Sequence, residues 1–217
     1  MNTLKQQPPI EVILYDLGNV ILPFNHRQIA EKLARFSEGE ASRDPEAIFS
    51  FLFAREKGAI HRYETGKVSS SEFFLLVKDH FHLALSFDDF VPIWNDIFTE
   101  NHEVSETIRS QKGKWKLGLV SNTNVLHFEY ALSKFPIVRV FDRWILSHEV
   151  GFKKPDAEIF QKAIEWAGVE PKRILFIDDM KGHVEAAHSL GMEAIHFCSA
   201  VQLKEEFSKK LTIQGQR

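Results

Sequence analysis

Asp16 stands at the end of an apolar stretch, in the run Tyr15-Asp16-Leu17-Gly18-Asn19, and offers a carboxylate. Ser121-Asn122 ends a second apolar stretch with a hydroxyl and an amide, Lys154 supplies an ammonium, and Asp178-Asp179 ends another stretch with two more carboxylates. A carboxylate can attack phosphorus or bind a metal, hydroxyl and amide groups donate to anionic oxygens, and a lysine balances the charge between them. Phosphoryl transfer needs these parts together: a nucleophile, a cation held by oxygen ligands, and donors for the equatorial oxygens. Two or three aspartates with water and substrate phosphate suit Mg²⁺. Asp16 alone would equally serve the turn that Gly18-Asn19 invites. The weight rests on several strand ends converging at one edge of a sheet.

The elements that must bring them there are legible as short apolar runs. Ile10 to Tyr15, Lys116 to Val120, Trp144 to Leu146, Ile174 to Ile177 and Glu193 to Phe197 are five candidate strands. Runs of this length suit strands buried on both faces of a parallel sheet. Helices fit between them. Asp156 is placed to cap one whose apolar face is Ile159, Phe160, Ala163, Ile164 and Ala167, closed by Gly168, and His183 to Leu190 forms a shorter one closed by Gly191. Alternating strands and helices predict a doubly wound, Rossmann-like α/β core, where ligands bind outside the carboxyl ends of the strands.

Between residues 25 and 100 the pattern turns helical only. Ile29, Leu33 and Phe36 recur at helical spacing, as do Ile48, Phe49, Leu52 and Phe53, and Phe87, Phe90, Ile93, Trp94 and Ile97. Ser69 and Glu72 have capping-box spacing ahead of Phe73, Phe74 and Val77. The expectation is an all-helical insertion of about four helices, residues 25–100, in a core made of residues 1–24 and 101–217. Its aromatic stripes read as the core of that insertion.

Composition narrows the partners. A formal charge of −3 leaves no basic surplus for a nucleic-acid backbone. No apolar run approaches membrane-spanning length, and the polar, proline-containing start lacks the apolar stretch of a signal peptide. Cys198 is the single cysteine, so no internal disulfide can form, which fits a reducing, cytoplasmic setting. The expected partner is a small phosphorylated metabolite, with neither nucleic acid nor membrane.

Taken together, these residues resemble the four motifs of the haloacid dehalogenase-like (HAD) hydrolase superfamily. Ile13 to Val20 matches the first motif, Leu119-Val120-Ser121-Asn122 the second, Gly151-Phe152-Lys153-Lys154-Pro155 the third and Phe176-Ile177-Asp178-Asp179 the fourth. The helical insertion falls where that superfamily carries its cap. The resemblance implies Asp16 as the nucleophile of an aspartyl-phosphate mechanism, Ser121 on the phosphoryl oxygens with Asn122 beside it, and Lys154 balancing charge. It further implies Mg²⁺ held by Asp16, by the backbone carbonyl of Gly18 and by Asp179, with Asp178 acting through water or by orienting Lys154. Asp-Leu-Gly-Asn-Val, Ser-Asn-Thr-Asn with Leu126-His127, and Tyr63-Glu64-Thr65-Gly66 look like bacterial phosphatases of glucose 1-phosphate and related sugar phosphates.

Two positions depart from the family pattern. Most phosphatases of the superfamily carry a second Asp, an acid and base, where this chain has Gly18. The dehalogenase branch resembles Asp-x-Tyr there, so Gly18 also speaks against the alternative of carbon–halogen chemistry. His183 stands where a common pattern has Asn. Another alternative is a binding or regulatory scaffold that lost catalysis with the second Asp, which the retained Asp16, Ser121, Lys154 and Asp179 oppose. Among the other histidines, His61 is expected to face substrate and His127 to cap or pack at the helix that starts near Asn124. His80 and His82 are too few for a zinc site, and Lys153 reads as a solvated neighbour of Lys154.

Overall fold

The computed structural model describes residues 9–39, 43–53 and 59–212. Five strands form one parallel sheet: β1 (Val12–Tyr15), β2 (Lys116–Ser121), β3 (Arg143–Leu146), β4 (Ile174–Asp178) and β5 (Glu193–His196), in the order β3-β2-β1-β4-β5. All five coincide with the apolar runs to within two residues. Both faces of the sheet are covered, and successive side chains divide between them. Ile13, Tyr15, Leu117, Leu119, Leu175 and Ile177 enter one apolar core, and Val12, Leu14, Val120, Ile174 and Phe176 the other.

The strand order reverses between β1 and β4, because the chain grows outward from β1 through β2 and β3 and then crosses to β4. Crevices at such reversals are where α/β sheets bind ligands. Tyr15 is level with Leu119 on one side and Ile177 on the other. Asp16, the next residue, is therefore flanked by the ends of β2 and β4. Its own backbone N–H continues the ladder to the carbonyl of Ile177 at 2.9 Å.

Five helices fall within residues 25–100 among the described residues: α1 (Arg27–Ala34), α2 (Pro45–Phe53), α3 (Ala59–Glu64), α4 (Ser70–Phe81) and α5 (Phe87–Asn95). One more than the expected four appears because α3 is a short helix with no apolar stripe of its own length. They bury a separate apolar core that includes Ile29, Leu33, Ile48, Leu52, Phe73, Phe90 and Trp94. The Ser69–Glu72 capping box closes reciprocally at the start of α4, and Ser86 with Asp89 repeats it at α5.

The remaining helices are α6 (His102–Gln111), α7 (Val125–Lys134), α8 (Ser147–Val150), α9 (Ala157–Ala167), α10 (Lys181–Ser189) and α11 (Ala200–Thr212). Gly168 ends α9 in the left-handed region at φ +70°. Asp156 precedes α9 but does not cap it: its carboxylate accepts the N–H of Lys153 instead. None of these helices is long and apolar enough to cross a membrane.

Candidate active site

The strand ends gather Asp16, Ser121, Asn122, Lys154, Asp178 and Asp179 at one edge of the sheet. Lys154 is the centre of charge. It follows the β3–α8 segment, is wholly buried, and places Nζ 2.8 Å from Asp16 Oδ1 and 2.6 Å from Asp178 Oδ2. Asn122 fixes its backbone from both directions, accepting the Lys154 N–H at 2.7 Å and donating Nδ2 to the Lys154 carbonyl at 2.9 Å. The amide expected to meet substrate is thus committed to positioning the lysine.

Both oxygens of Asp178 are also committed. Oδ2 takes Lys154, Oδ1 accepts the Met180 N–H at 2.8 Å, and His183 Nδ1 lies 2.9 Å from Oδ1. His183, the departure from the family pattern, therefore braces Asp178. Burial alone would raise the Asp178 pKa, but Lys154 and then His183 outweigh it and hold the group at about 2. At Asp16 burial dominates and pushes it up to about 6, with Lys154 opposing and Asp178 and Asp179 adding to the rise. Burial disfavours the charge on Lys154, yet the two carboxylates prevail and raise its pKa. The ammonium stays charged.

Asp16 Oδ1 additionally accepts the Leu17 N–H at 2.7 Å, which leaves Oδ2 as the uncommitted oxygen. Asp179 is held through Oδ2 by Asn19 Nδ2 at 3.2 Å. Carboxylate oxygens of Asp16, Asp178 and Asp179 lie within 4.8 Å of one another, a spacing that could hold a metal ion. Three carboxylates against one ammonium leave a net charge of −2, which a divalent cation would cancel. The uncommitted oxygens belong to Asp16 and Asp179, so those two fit a cation directly, whereas Asp178 serves Lys154. His80 and His82 lie outside this group, His80 stacked on Phe51 and His82 closing α4.

A cavity of about 220 Å³ opens above these groups, lined by Asp16, Gly18, Asn19, Ser121 and Asp179 from the strand ends, by Phe24 just before the insertion, and by His26 and Glu64 of the insertion. The buried Ser121 hydroxyl makes no hydrogen bond to the described residues. His61 does not line the cavity; its carbonyl accepts the Thr65 hydroxyl. Glu64, one helical turn further on, does, and its Oε2 meets Lys153 Nζ at 2.5 Å. Lys153 is thus a link from core to insertion, not a solvated neighbour. His127 is buried at the start of α7, as expected from its place beside Asn124. His26 escaped the sequence reading, since it falls in no motif, and Glu64 was marked there only as part of the family-like run Tyr63-Glu64-Thr65-Gly66.

At Gly18 a Cβ would sit 2.7 Å from Cε1 of Phe24. The place of the family's second Asp is filled by the aromatic ring of Phe24.

Fold and site together define a parallel-sheet hydrolase built around an aspartate. Comparison with known proteins agrees: a model of haloacid dehalogenase-like hydrolases matches residues 67–197, more than half of the chain, and the chain belongs to that family. It is similar to D-ribitol-5-phosphate phosphatase of Bacteroides thetaiotaomicron, 24% identical over 206 residues that cover 92% of this chain and 97% of the relative. It is also similar to a phosphorylated carbohydrates phosphatase of Thermotoga maritima, 30% identical over 105 residues, about half of each chain. Among solved structures, a HAD-family enzyme of B. thetaiotaomicron in complex with magnesium and inorganic phosphate superposes with a TM-score of 0.76. It is 24% identical, and the match covers 86% of this chain and 93% of that one.

Proposed function

We propose that this protein is a Mg²⁺-dependent phosphatase of a small, polyhydroxylated phosphate ester, working through a phosphorylated Asp16. The observation that carries the reading is the sealed Asp16–Lys154–Asp178 chain at the end of the central strand. It fixes the buried Asp16 carboxylate through Oδ1 beside a charged lysine, at the mouth of the cavity. The relatives' activities on phosphorylated carbohydrates support the substrate class.

Asp16 attacks phosphorus through a carboxylate oxygen, while Lys154 balances charge between nucleophile and phosphate. Ser121, whose hydroxyl has no hydrogen-bond partner among the described residues, donates to a phosphoryl oxygen. Asn122 acts through Lys154, and Asp178 with His183 keeps the ammonium aimed at Asp16. Mg²⁺, when bound by Asp16, Asp179 and the carbonyl of Gly18, would supply positive charge to the phosphoryl oxygens. Residues 25–100 then serve as a cap over the core of residues 1–24 and 101–217. A cavity of about 220 Å³ suits a small ester, and Glu64, Lys153 and Thr123 at its lining suit hydroxyl groups.

The test is phosphate release from a panel of phosphorylated polyols, sugars and acids, with Mg²⁺ and with excess chelator, in wild type and Asp16→Asn. Turnover should require the metal and fall at least about 10³-fold in the variant, with the fold unchanged by circular dichroism. A loss smaller than tenfold, about 1.4 kcal/mol of barrier, is too little for removal of a covalent nucleophile and would refute Asp16 in that role.

A further inference from the structure

An aspartyl-phosphate is broken by water, and the water needs a group to take its proton. With glycine at position 18 the usual carboxylate is missing. Of the titratable groups at the cavity, most are engaged. Asp16 is the nucleophile and Asp178 is saturated by Lys154, Met180 and His183. Asp179 faces the metal position, and Glu64 is paired with Lys153. His127 uses both ring nitrogens, Nδ1 with Asn124 and Nε2 with the Trp94 carbonyl. His183 keeps Nδ1 within the Asp178–Lys154 network.

His26 differs from all of these. Its ring lines the cavity, and neither nitrogen has a hydrogen-bond partner among the described residues. It sits at the start of α1 without capping it. Its orientation comes from stacking: on Phe53, with centroids 4.2 Å apart and planes within 6°, and beside Phe24 at 4.4 Å. Phe24 is the ring that occupies the space above Gly18. The imidazole therefore stands one ring away from the place of the missing carboxylate.

Resting on the phosphatase reading above, we propose that His26 is the general base for hydrolysis of the phosphorylated Asp16. The water oxygen bonds to phosphorus while the bond from phosphorus to the Asp16 oxygen breaks, returning its electron pair to the carboxylate. The water proton passes to a ring nitrogen of His26, and the imidazolium hands it to the phosphate, which leaves as the monoanion. Burial lowers the His26 pKa to about 4, so the ring is neutral and its lone pair ready at neutral pH. A general base of this kind contributes roughly 10²–10⁴-fold.

The experiment is rapid-mixing kinetics with p-nitrophenyl phosphate and Mg²⁺ on wild type and His26→Phe, which keeps the stack and removes both nitrogens. The variant should release a burst of about one p-nitrophenol per active site and then turn over at least 30-fold more slowly than wild type. Quenched samples should hold phosphorylated protein, and free imidazole should restore part of the steady rate. His26→Gln, which fills the space without a basic nitrogen, should behave alike and decides the matter if the first variant does not fold by circular dichroism. Steady turnover within threefold of wild type overturns the proposal, as does loss of burst and turnover together. Accumulation of phosphorylated protein in His183→Asn but not in the His26 variants also overturns it, moving the role to His183. A wild type that never releases p-nitrophenol overturns the phosphatase reading as well, a distinct result.

Discussion

At position 18 one missing side chain decides how leaving groups are treated. In the phosphatase mechanism proposed above, the lack of a carboxylate there leaves the departing oxygen without a proton as its bond to phosphorus breaks, and general acid help is typically worth ~10²–10⁴-fold. The specificity constant kcat/KM, which reports transfer to Asp16, should therefore fall steeply as leaving-group pKa rises across a series of aryl and alkyl phosphates. Anomeric and aryl phosphates should be favoured over esters of ordinary alcohols. Restoring Asp at position 18 is not a simple repair, because its Cβ would meet the Phe24 ring at 2.7 Å. The informative variant combines Gly18→Asp with Phe24→Ala, and it should flatten the slope. A shallow slope in wild type would sink the idea. The glycine was visible in the sequence, but the ring lying on it was not, because Phe24 belongs to no motif and reaches Gly18 only through the turn after β1. For the same reason His61, chosen by resemblance, lies off the cavity while His26 lines it.

Helices and strands were easier to read than their docking. Parallel strands buried on both faces leave compact apolar runs, so β1 to β5 stood out, and glycines at helix ends marked α9. Strand order had no such signature, since it depends on which crossover passes which face. The seat of the insertion on the core was equally silent. It rests in part on Gly66, just beyond α3, which has φ +66° and so little space that a Cβ would lie 2.2 Å from the carbonyl oxygen of His148 in α8. Gly66→Ala must push α3 away from α8, and the left-handed backbone itself adds about 1 kcal/mol for a residue with a Cβ. Glu64 would move with it and strain its pairing with Lys153 over the cavity. The expected outcome is a lower thermal midpoint together with a several-fold higher KM and a less affected kcat. An unchanged midpoint and KM would show that this docking point carries no weight.

Across the whole molecule, insertion and core are joined by a buried polar cluster that also makes stability depend on pH. Asn124 Oδ1 accepts Trp94 Nε1 from α5 and the His127 N–H, while His127 Nε2 donates to the Trp94 carbonyl at 2.9 Å. With Nδ1 accepting from Asn124 Nδ2, the cluster is satisfied only by a neutral ring protonated on Nε2. Burial, then the neighbouring His26, lowers the His127 pKa from 6.5 to about 3. Between those values the unfolded chain binds a proton that the folded chain refuses. Stability is thus complete above pH 6.5 and is lost as pH falls toward 3, by roughly 1.4 kcal/mol per pH unit. His26 acts in the same direction. Asp16, raised to about 6 in the folded state, acts oppositely below that pH, since there the folded protein takes up the proton first. The test must isolate His127, which a comparison with His127→Gln does: the amide can still donate to the Trp94 carbonyl but does not titrate. Urea unfolding of both proteins at pH 7.5 and 5.0 should show wild type losing about 2 kcal/mol more than the variant over that interval. Equal losses in the two proteins would mean that the ring takes up its proton in the folded state without opening the joint between Trp94 and Asn124.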